Sequence, residues 1–325
     1  MKTAKSGIWS AALLAVLLAA TGAQAQSGYP SKPIRIVAPT APGSPPDLLA
    51  RLFGERLAAA WGQPVLVENR PGAINTVGLL AVAKAAPDGY TLGIFSTPAA
   101  VAPSLVPVPY DTSTDLAPVT QIGWGTHILV VRAGSPLKSI EELVTFAKAN
   151  PGRVTFASGG NGTPAHLAGE VFRLRTGIDI RHVPFKGAPA GVASVLGEQV
   201  DMMFAATAAA APQVKSGKLR AMATTAAQRL PALPDLPTMA QVGFRDFDVR
   251  EWNGFVAPGR TPREIVAKLS DEIMKAASSP EMKVRLASMG QDPADQFGPE
   301  QFGILIRSEL AKWARVVRDA GIRAD

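Results

Sequence analysis

Apolar residues along this chain fall into two alternating rhythms. Short runs rich in β-branched residues, IRIVA (34–38), PVLVE (64–68) and TLGIF (91–95), read as buried strands. The stretches between them, Asp47 to Ala60 and Val77 to Ala86, repeat apolar positions at helical spacing. This punctuation predicts an α/β fold, a mostly parallel sheet flanked by helices on both faces. A second series begins at HILVVR (127–132), with Ser139 and Glu142 forming a capping box for a helix through Lys148. VTFAS (154–158), a helix from Pro164 to Arg175, IRHV (180–183), a helix near 188–196, VDMMF (200–204), a helix near 207–215 and RAMATT (220–225) complete a second α/β unit.

Beyond the proline-rich RLPALPDLPT (229–238), WNGFVAP (252–258) reads as one more strand. Three helices follow, signalled by Thr261-Pro262-Arg263-Glu264, by Ser279-Pro280-Glu281 with Gly290 as its stop, and by Pro299-Glu300 through to Gly321. A strand returning this late implies that the chain leaves a first domain near 125, builds a second and comes back near 250. The expected division is 26–125 with 250–325 as lobe 1 and 126–249 as lobe 2, with a hinge and a cleft where the two connections cross. A chain of 325 residues also exceeds the size at which a single core stops growing.

Composition sets the compartment. Lys2 and Lys5, an apolar run from Ile8 to Ala20 and the small-x-small site Ala23-Gln24-Ala25 read as a secretory signal peptide, residues 1–25, cleaved after Ala25. Its apolar core is short of the ~20 residues of a membrane-spanning helix. Cysteine is absent, which excludes a disulfide framework, a thiolate nucleophile and a lipidated cysteine. The expectation is a free protein of the periplasm. Formal charge falls from +7 to +5 on cleavage, because Lys2 and Lys5 leave and residues 1–25 hold no acid. That balance steers anions. Lys and Arg are scattered singly, so nucleic acid is not the implied partner.

Candidate chemistry lies in two strand-to-helix loops. VTFASGGNGTPAHLAGE (154–170) contains Gly160-Asn161-Gly162-Thr163-Pro164-Ala165, a G-x-G-x-x-A pattern. A dinucleotide site needs an acid at the end of the next strand to take the ribose hydroxyls, and here IRHV runs into Pro184-Phe185-Lys186. The glycines otherwise serve a tight turn, or they open a helix start whose unpaired N–H groups and positive dipole end face an anion. VAPTAPGSPPDLLAR (37–51) repeats the arrangement, with Asp47 placed to cap its helix. Two such loops at the carboxyl ends of their strands would face each other across the cleft.

Several longer motifs stand in register around these loops. They are Tyr29-Pro30 with Lys32-Pro33-Ile34-Arg35, Gly62-Gln63-Pro64-Val65 with Val67-Glu68-Asn69-Arg70-Pro71-Gly72-Ala73, Ala86-Pro87-Asp88-Gly89-Tyr90-Thr91-Leu92, His182-Val183-Pro184-Phe185-Lys186-Gly187, and Leu233-Pro234-Asp235-Leu236-Pro237-Thr238. In this order, over essentially the whole mature chain, they resemble the Bug proteins, the TctC-like substrate-binding components of tripartite tricarboxylate transporters. The resemblance implies a two-lobed periplasmic binding protein (type II) that captures a small organic carboxylate and hands it to TctA- and TctB-like membrane subunits, acting as a monomer.

Carried over by position, the resemblance implies a ligand held by Thr40, Gly43, Ser44 and Asp47 of the first loop and by Ser158, Gly160, Asn161, Gly162, Thr163 and His166 of the second. Ser96, Thr97 and Ala205 would line the cleft. Two departures stand out. The family's first loop usually reads P-F-A-A-G-G-G-T-D, whereas Pro42, Pro45 and Pro46 here have no N–H to donate. Ala205-Ala206 stand where the family often has Asp-Asn, which implies a ligand without an ammonium group.

The remaining residues exclude more than they offer. His127, His166 and His182 show no metal-ligand spacing. His166 is placed to reach a ligand or to cap its own helix; His127 and His182 read as core or edge residues. Trp124 and Trp252 fall near the crossings, where they would stack on an aromatic ligand or pack the hinge, and Trp313 belongs to a helix core. G-x-S-x-G, H-E-x-x-H and G-x-x-x-x-G-K-[ST] are all missing, so neither an enzyme nor a cofactor is indicated. The rival readings are a periplasmic ligand sensor signalling to a membrane kinase and a dinucleotide-binding oxidoreductase.

Overall fold

The computed structural model describes residues 28–245, 247, 249–292 and 298–322; the signal peptide assigned to 1–25 lies outside them. Strands β1 (Ile34–Ala38), β2 (Val65–Asn69) and β3 (Thr91–Ser96) alternate with helices α1 (Pro45–Trp61), α2 (Thr76–Ala83) and α3 (Thr97–Leu105). β1 is buried on both faces and pairs in parallel with β2 and β3. Ile34 and Ile36 pack with Leu49, Phe53 and Leu57 of α1, while Val37 points the other way, toward Leu79 and Val82 of α2. The period of two thus sends successive side chains of one strand into two cores.

β4 (Leu116–Gly125) leads into the second unit. There β5 (His127–Arg132), α4 (Ile140–Ala149), β6 (Val154–Ser158), α5 (Pro164–Thr176), β7 (Ile180–Pro184), α6 (Ala188–Leu196), β8 (Met202–Ala206), α7 (Thr207–Lys215) and β9 (Leu219–Thr224) build a sheet ordered β7-β6-β8-β5-β9. The chain returns through β10 (Glu251–Pro258), then α8 (Arg263–Ser278), α9 (Pro280–Ser288), the two-residue β11 (Gln291–Asp292) and α10 (Pro299–Ala320). The first sheet is ordered β11-β4-β10-β3-β1-β2. Two mixed sheets with flanking helices give a two-lobed α/β architecture.

Each sheet is parallel on one side and antiparallel on the other. β1–β2, β1–β3, β6–β7 and β6–β8 run parallel, as the strand-helix alternation requires. β4, β10 and β11 pair antiparallel in the first sheet, and β5 pairs antiparallel with β8 and β9 in the second. β4 and α3 escape the sequence pattern because Pro118, Gly123 and Gly125 interrupt one, and Pro98 and Pro103 the other.

The capping box of α4 forms as expected: Ser139 Oγ accepts the Glu142 N–H at 3.1 Å, and Glu142 Oε2 accepts the Lys138 N–H. Trp252 and Trp313 are fully buried, and both indole N–H groups donate to Glu309 Oε2 of α10, at 2.9 and 2.8 Å. Trp252 therefore packs the hinge side of α10, stacked on Phe95, and is closed to a ligand. Trp124 carries the Arg250 guanidinium over its ring at 4.1 Å, again at the crossing. Among the described residues no helix is long and apolar enough to cross a membrane.

Candidate functional site

The loop from β1 to α1 closes on itself. Gly43, at φ +78°, turns its N–H to Asp47 Oδ2 at 2.8 Å, and Asn69 of β2 donates to Asp47 Oδ1 at 2.9 Å and to the Thr40 carbonyl at 3.1 Å. Arg51, one turn along α1, completes the set, with Nε 3.2 Å from Oδ2 and Nη2 3.0 Å from Oδ1. Ser44 Oγ donates to Thr40 Oγ1 at 2.6 Å. Burial works to raise the Asp47 carboxyl, but the hydrogen bonds from Arg51, Gly43 and Asn69 and the charge of Arg51 outweigh it, holding the carboxyl below the usual range. Asp47 is 1% exposed. Two of the first-loop residues expected to hold a ligand, Gly43 and Asp47, are engaged with each other here. With Pro45 and Pro46 opening α1 and its own carboxylate in the first turn, this helix start has little left to offer an anion.

The loop from β6 to α5 also binds part of itself. Ser158 Oγ accepts the Gly160 N–H at 3.0 Å and lies 2.6 Å from His182 Nε2. The Gly162 N–H donates to His166 Nδ1 at 3.1 Å, and Thr163 Oγ1 donates to the Gly160 carbonyl at 2.6 Å. The amides of Gly160 and Gly162 are thus taken by neighbouring side chains, and the His166 imidazole turns to the loop backbone. The loop thus engages the polar groups of three residues expected to hold the ligand, and His166 takes the local capping role that the sequence also offered.

The start of α5 differs from that of α1 in what it leaves open. Thr163 makes no side-chain cap bond, the first turn holds no acid, and only Pro164 lacks an N–H. A helix start leaves the N–H groups of Ala165 and His166 without intrahelical acceptors. Asn161 and Thr163 are half-buried beside them.

Loop 2 meets lobe 1 directly. Gly162 has φ +72°, and a Cβ there would lie 3.3 Å from Leu105 Cδ1 and 3.6 Å from Ile74 Cγ2. Ile74 belongs to Ala73-Ile74-Asn75, three consecutive non-glycine residues in the left-handed region, with φ of 45°, 51° and 71°. Such strain clusters at ligand clamps. Asn75 Nδ2 donates to Ser96 Oγ at 2.9 Å at the end of β3, and Thr97 Oγ1 accepts the Trp252 N–H at 3.0 Å. Across from Ser96 in the ladder, fully buried Asn253 leaves its Oδ1 without a protein partner. Ile74, Asn75, Leu105, His182 and Asn253 are absent from the sequence reading of the site; a β-branched residue at positive φ gives no sequence signal at all.

Other expected residues fall elsewhere. Ala205 is fully buried in the core of the second lobe with Ile128, Ala157 and Met203, and the half-buried Ala206 is the next residue toward solvent, which corrects the lining role given to Ala205. At the crossing Thr126 and Thr207 share a hydroxyl contact of 2.9 Å. His127 is buried, and burial pushes it down to about 4, so it is neutral in the core. No group of three or more metal-ligating side chains occurs among the described residues.

The family model described as tripartite tricarboxylate transporter family receptor matches residues 49–322. The chain is 36% identical over 318 residues to protein BugT of Bordetella pertussis, covering 96% of this chain and 97% of that one. Among solved structures it is similar to the periplasmic binding protein BugD, at 32% identity and a TM-score of 0.79 over 91% of this chain and 100% of that one. It is also similar to R. palustris Rpa4515 with adipate, at 31% identity and a TM-score of 0.81 over 90% and 99% of the two chains. With its two lobes and the matched span, the chain belongs to the family of tripartite tricarboxylate transporter receptors.

Proposed function

We propose that this receptor captures a small organic carboxylate between its lobes and seats the acid group at the start of α5. One observation carries the reading: α5 begins with N–H groups that have no intrahelical acceptor and with no acid in its first turn, beside Gly162, which abuts Ile74 and Leu105 of the other lobe. Such a terminus contributes ~0.3–1 kcal/mol when exposed and up to ~2 kcal/mol when partly buried. Contacts from both lobes that exist only on closure supply the rest. Adipate in the R. palustris relative supports a carboxylate, and the uncharged pair Ala205-Ala206 supports one without an ammonium group.

The wider reading follows from the family. The protein is exported to the periplasm with cleavage after Ala25, delivers its cargo to two membrane-embedded subunits as a monomer, and performs no catalysis. Lobe 1 comprises 26–125 with 250–325 and lobe 2 comprises 126–249, a division supported by β4 and β10 lying in one sheet and β5 and β9 in the other. The test is thermal-shift screening of the mature protein against mono-, di- and tricarboxylates, because a ligand that binds only the folded form raises Tm. Stabilisation by an unsubstituted carboxylate is expected. Stabilisation by amino acids alone would refute the reading.

A further inference from the structure

The motif His182 to Gly187 is one structural unit with the glycine loop. β6 and β7 pair with Phe156 beside His182 and Ser158 beside Pro184. The Phe185 N–H donates to the Ser158 carbonyl at 2.9 Å, and the Gly187 N–H donates to the Gly159 carbonyl at 3.2 Å. A Cβ at Gly159 would come within 3.0 Å of the Ala188 nitrogen, so the two loops touch backbone to backbone. This contact brings His182, from β7, over His166, from α5: the rings stack with centroids 3.9 Å apart and planes 12° apart, and Phe156 tilts against His182 at 5.0 Å.

Hydrogen bonding fixes the state of one ring. The Gly162 N–H needs a lone pair, so His166 Nδ1 is unprotonated and its proton sits on Nε2, facing Glu170 Oε1 at 3.9 Å. Ser158 Oγ rests on His182 Nε2. The two imidazoles therefore hold residues on both sides of Gly159-Gly160-Asn161. Two imidazolium rings at this separation would repel in a low-dielectric setting. Burial and the neighbouring His182 push His166 down to about 3.

Both histidines and Asn161 line a cavity of about 540 Å³ together with Glu170, Arg173, Asp179 and the end of α10. The charges facing His166 from the surrounding elements are balanced there. Arg173 Nε bonds Glu170 Oε2 at 2.8 Å and its Nη2 bonds the Ala320 carbonyl at 2.7 Å, so Glu170 is already paired and does not draw a proton onto the ring.

We propose that His166 and His182 are positioning residues, a stacked pair in which His166 is a neutral acceptor, that set the shape of the β6–α5 loop from behind without touching the cargo. The proposal rests on the carboxylate reading only for its second test. First, long-range nitrogen–proton NMR spectra of the ligand-free, ¹⁵N-labelled mature protein are recorded from pH 8 to pH 5. His166 is expected to remain the Nε2-protonated tautomer throughout, with a protected Gly162 amide. An ordinary histidine titration of His166, or the opposite tautomer, would overturn the proposal.

Second, adipate binding is measured by calorimetry at pH 7.5 for wild type, His166→Leu and His166→Asn. The leucine variant should lose at least about tenfold in affinity, while the Oδ1 of asparagine, standing near the place of Nδ1, should restore most of it. Equal affinities in all three would contradict a positioning role. If wild type itself ignores adipate, the choice of cargo has failed, and the ligand-free spectra still decide the state of the pair.

Discussion

The loop before α1 and the loop before α5 share a plan, in which a buried strand turns through glycine and proline into a helix at the rim of a lobe. What differs is the owner of the helix start. In lobe 1 the buried Asp47 carboxylate, with Gly43, Asn69 and Arg51 gathered around it, occupies the N-terminal end, and two prolines remove further donors. In lobe 2 the first turn of α5 has no acid, and the loop holds its own amides: Gly162 donates to His166, and Gly160 donates to Ser158, which His182 contacts. On the proposed function, loop 1 is thus a wall and loop 2 the grip. That proposal replaces the symmetric pair of anion grips, which the sequence suggests, with a division of labour.

Transplanting the first loop's solution into the second breaks the comparison most sharply. Thr163→Asp places a favoured N-cap residue at the start of α5, so the ligand-free protein should be at least as stable in a thermal melt. Carboxylate affinity should nevertheless fall by about 100-fold or more, ~2.7 kcal/mol, as the new charge meets the ligand's; calorimetry reads this directly. The reverse change acts on folding. Asp47→Ala strands the Gly43 N–H and the Asn69 amide and should cost ~2–3 kcal/mol in denaturant unfolding.

Protons sharpen the contrast further. His166 is depressed to about 3, below its unfolded value, so its contribution is complete above ~6.5 and is lost as pH falls, because the unfolded chain takes up the proton first. His166's own share of the slope is ~1.4 kcal/mol per pH unit inside that window, and His166→Asn should remove that share from pH-dependent unfolding curves while His127, pushed down to about 4, still contributes its own. Asp47 is also depressed, and its contribution is present above ~3.9 and fails at more acid pH, so Asp47→Asn should lower stability above pH 4 and flatten the acid limb below it. The smallest effect belongs to Arg51, half-exposed on α1: Arg51→Gln should cost under ~1 kcal/mol in the same unfolding assay and leave carboxylate affinity unchanged.

Much of the fold is legible in the sequence because it is written locally. Period-two and period-3.6 patterns mark β1, α1 and their counterparts, and Ser139 with Glu142 marks α4. Residues Thr40 to Asp47 and Ser158 to His166 are recognisable as loops for the same reason. The use of their polar groups is another matter. Whether the Gly43 or Gly162 N–H is free depends on Asn69 and Asp47 in one case and on His166 and His182 in the other. Asp47 and His166 lie only four residues from those amides, but Asn69, which bonds Asp47, and His182, which bonds Ser158 and stacks on His166, are brought in by strand pairing across 22 and 24 positions. The antiparallel crossings of β4 and β10 and the strained Ala73-Ile74-Asn75 turn are likewise tertiary outcomes, in which packing overrides the local preferences of proline, glycine and isoleucine.

The division of labour is tested most directly by titrating the ¹⁵N-labelled mature protein with the acid that gives the largest thermal shift and following its amide resonances. The account predicts that the largest shifts fall on Ala165 and His166 at the start of α5, with Gly43 and Asp47 nearly still. Shifts concentrated between Gly43 and Leu48, with α5 unmoved, would contradict it.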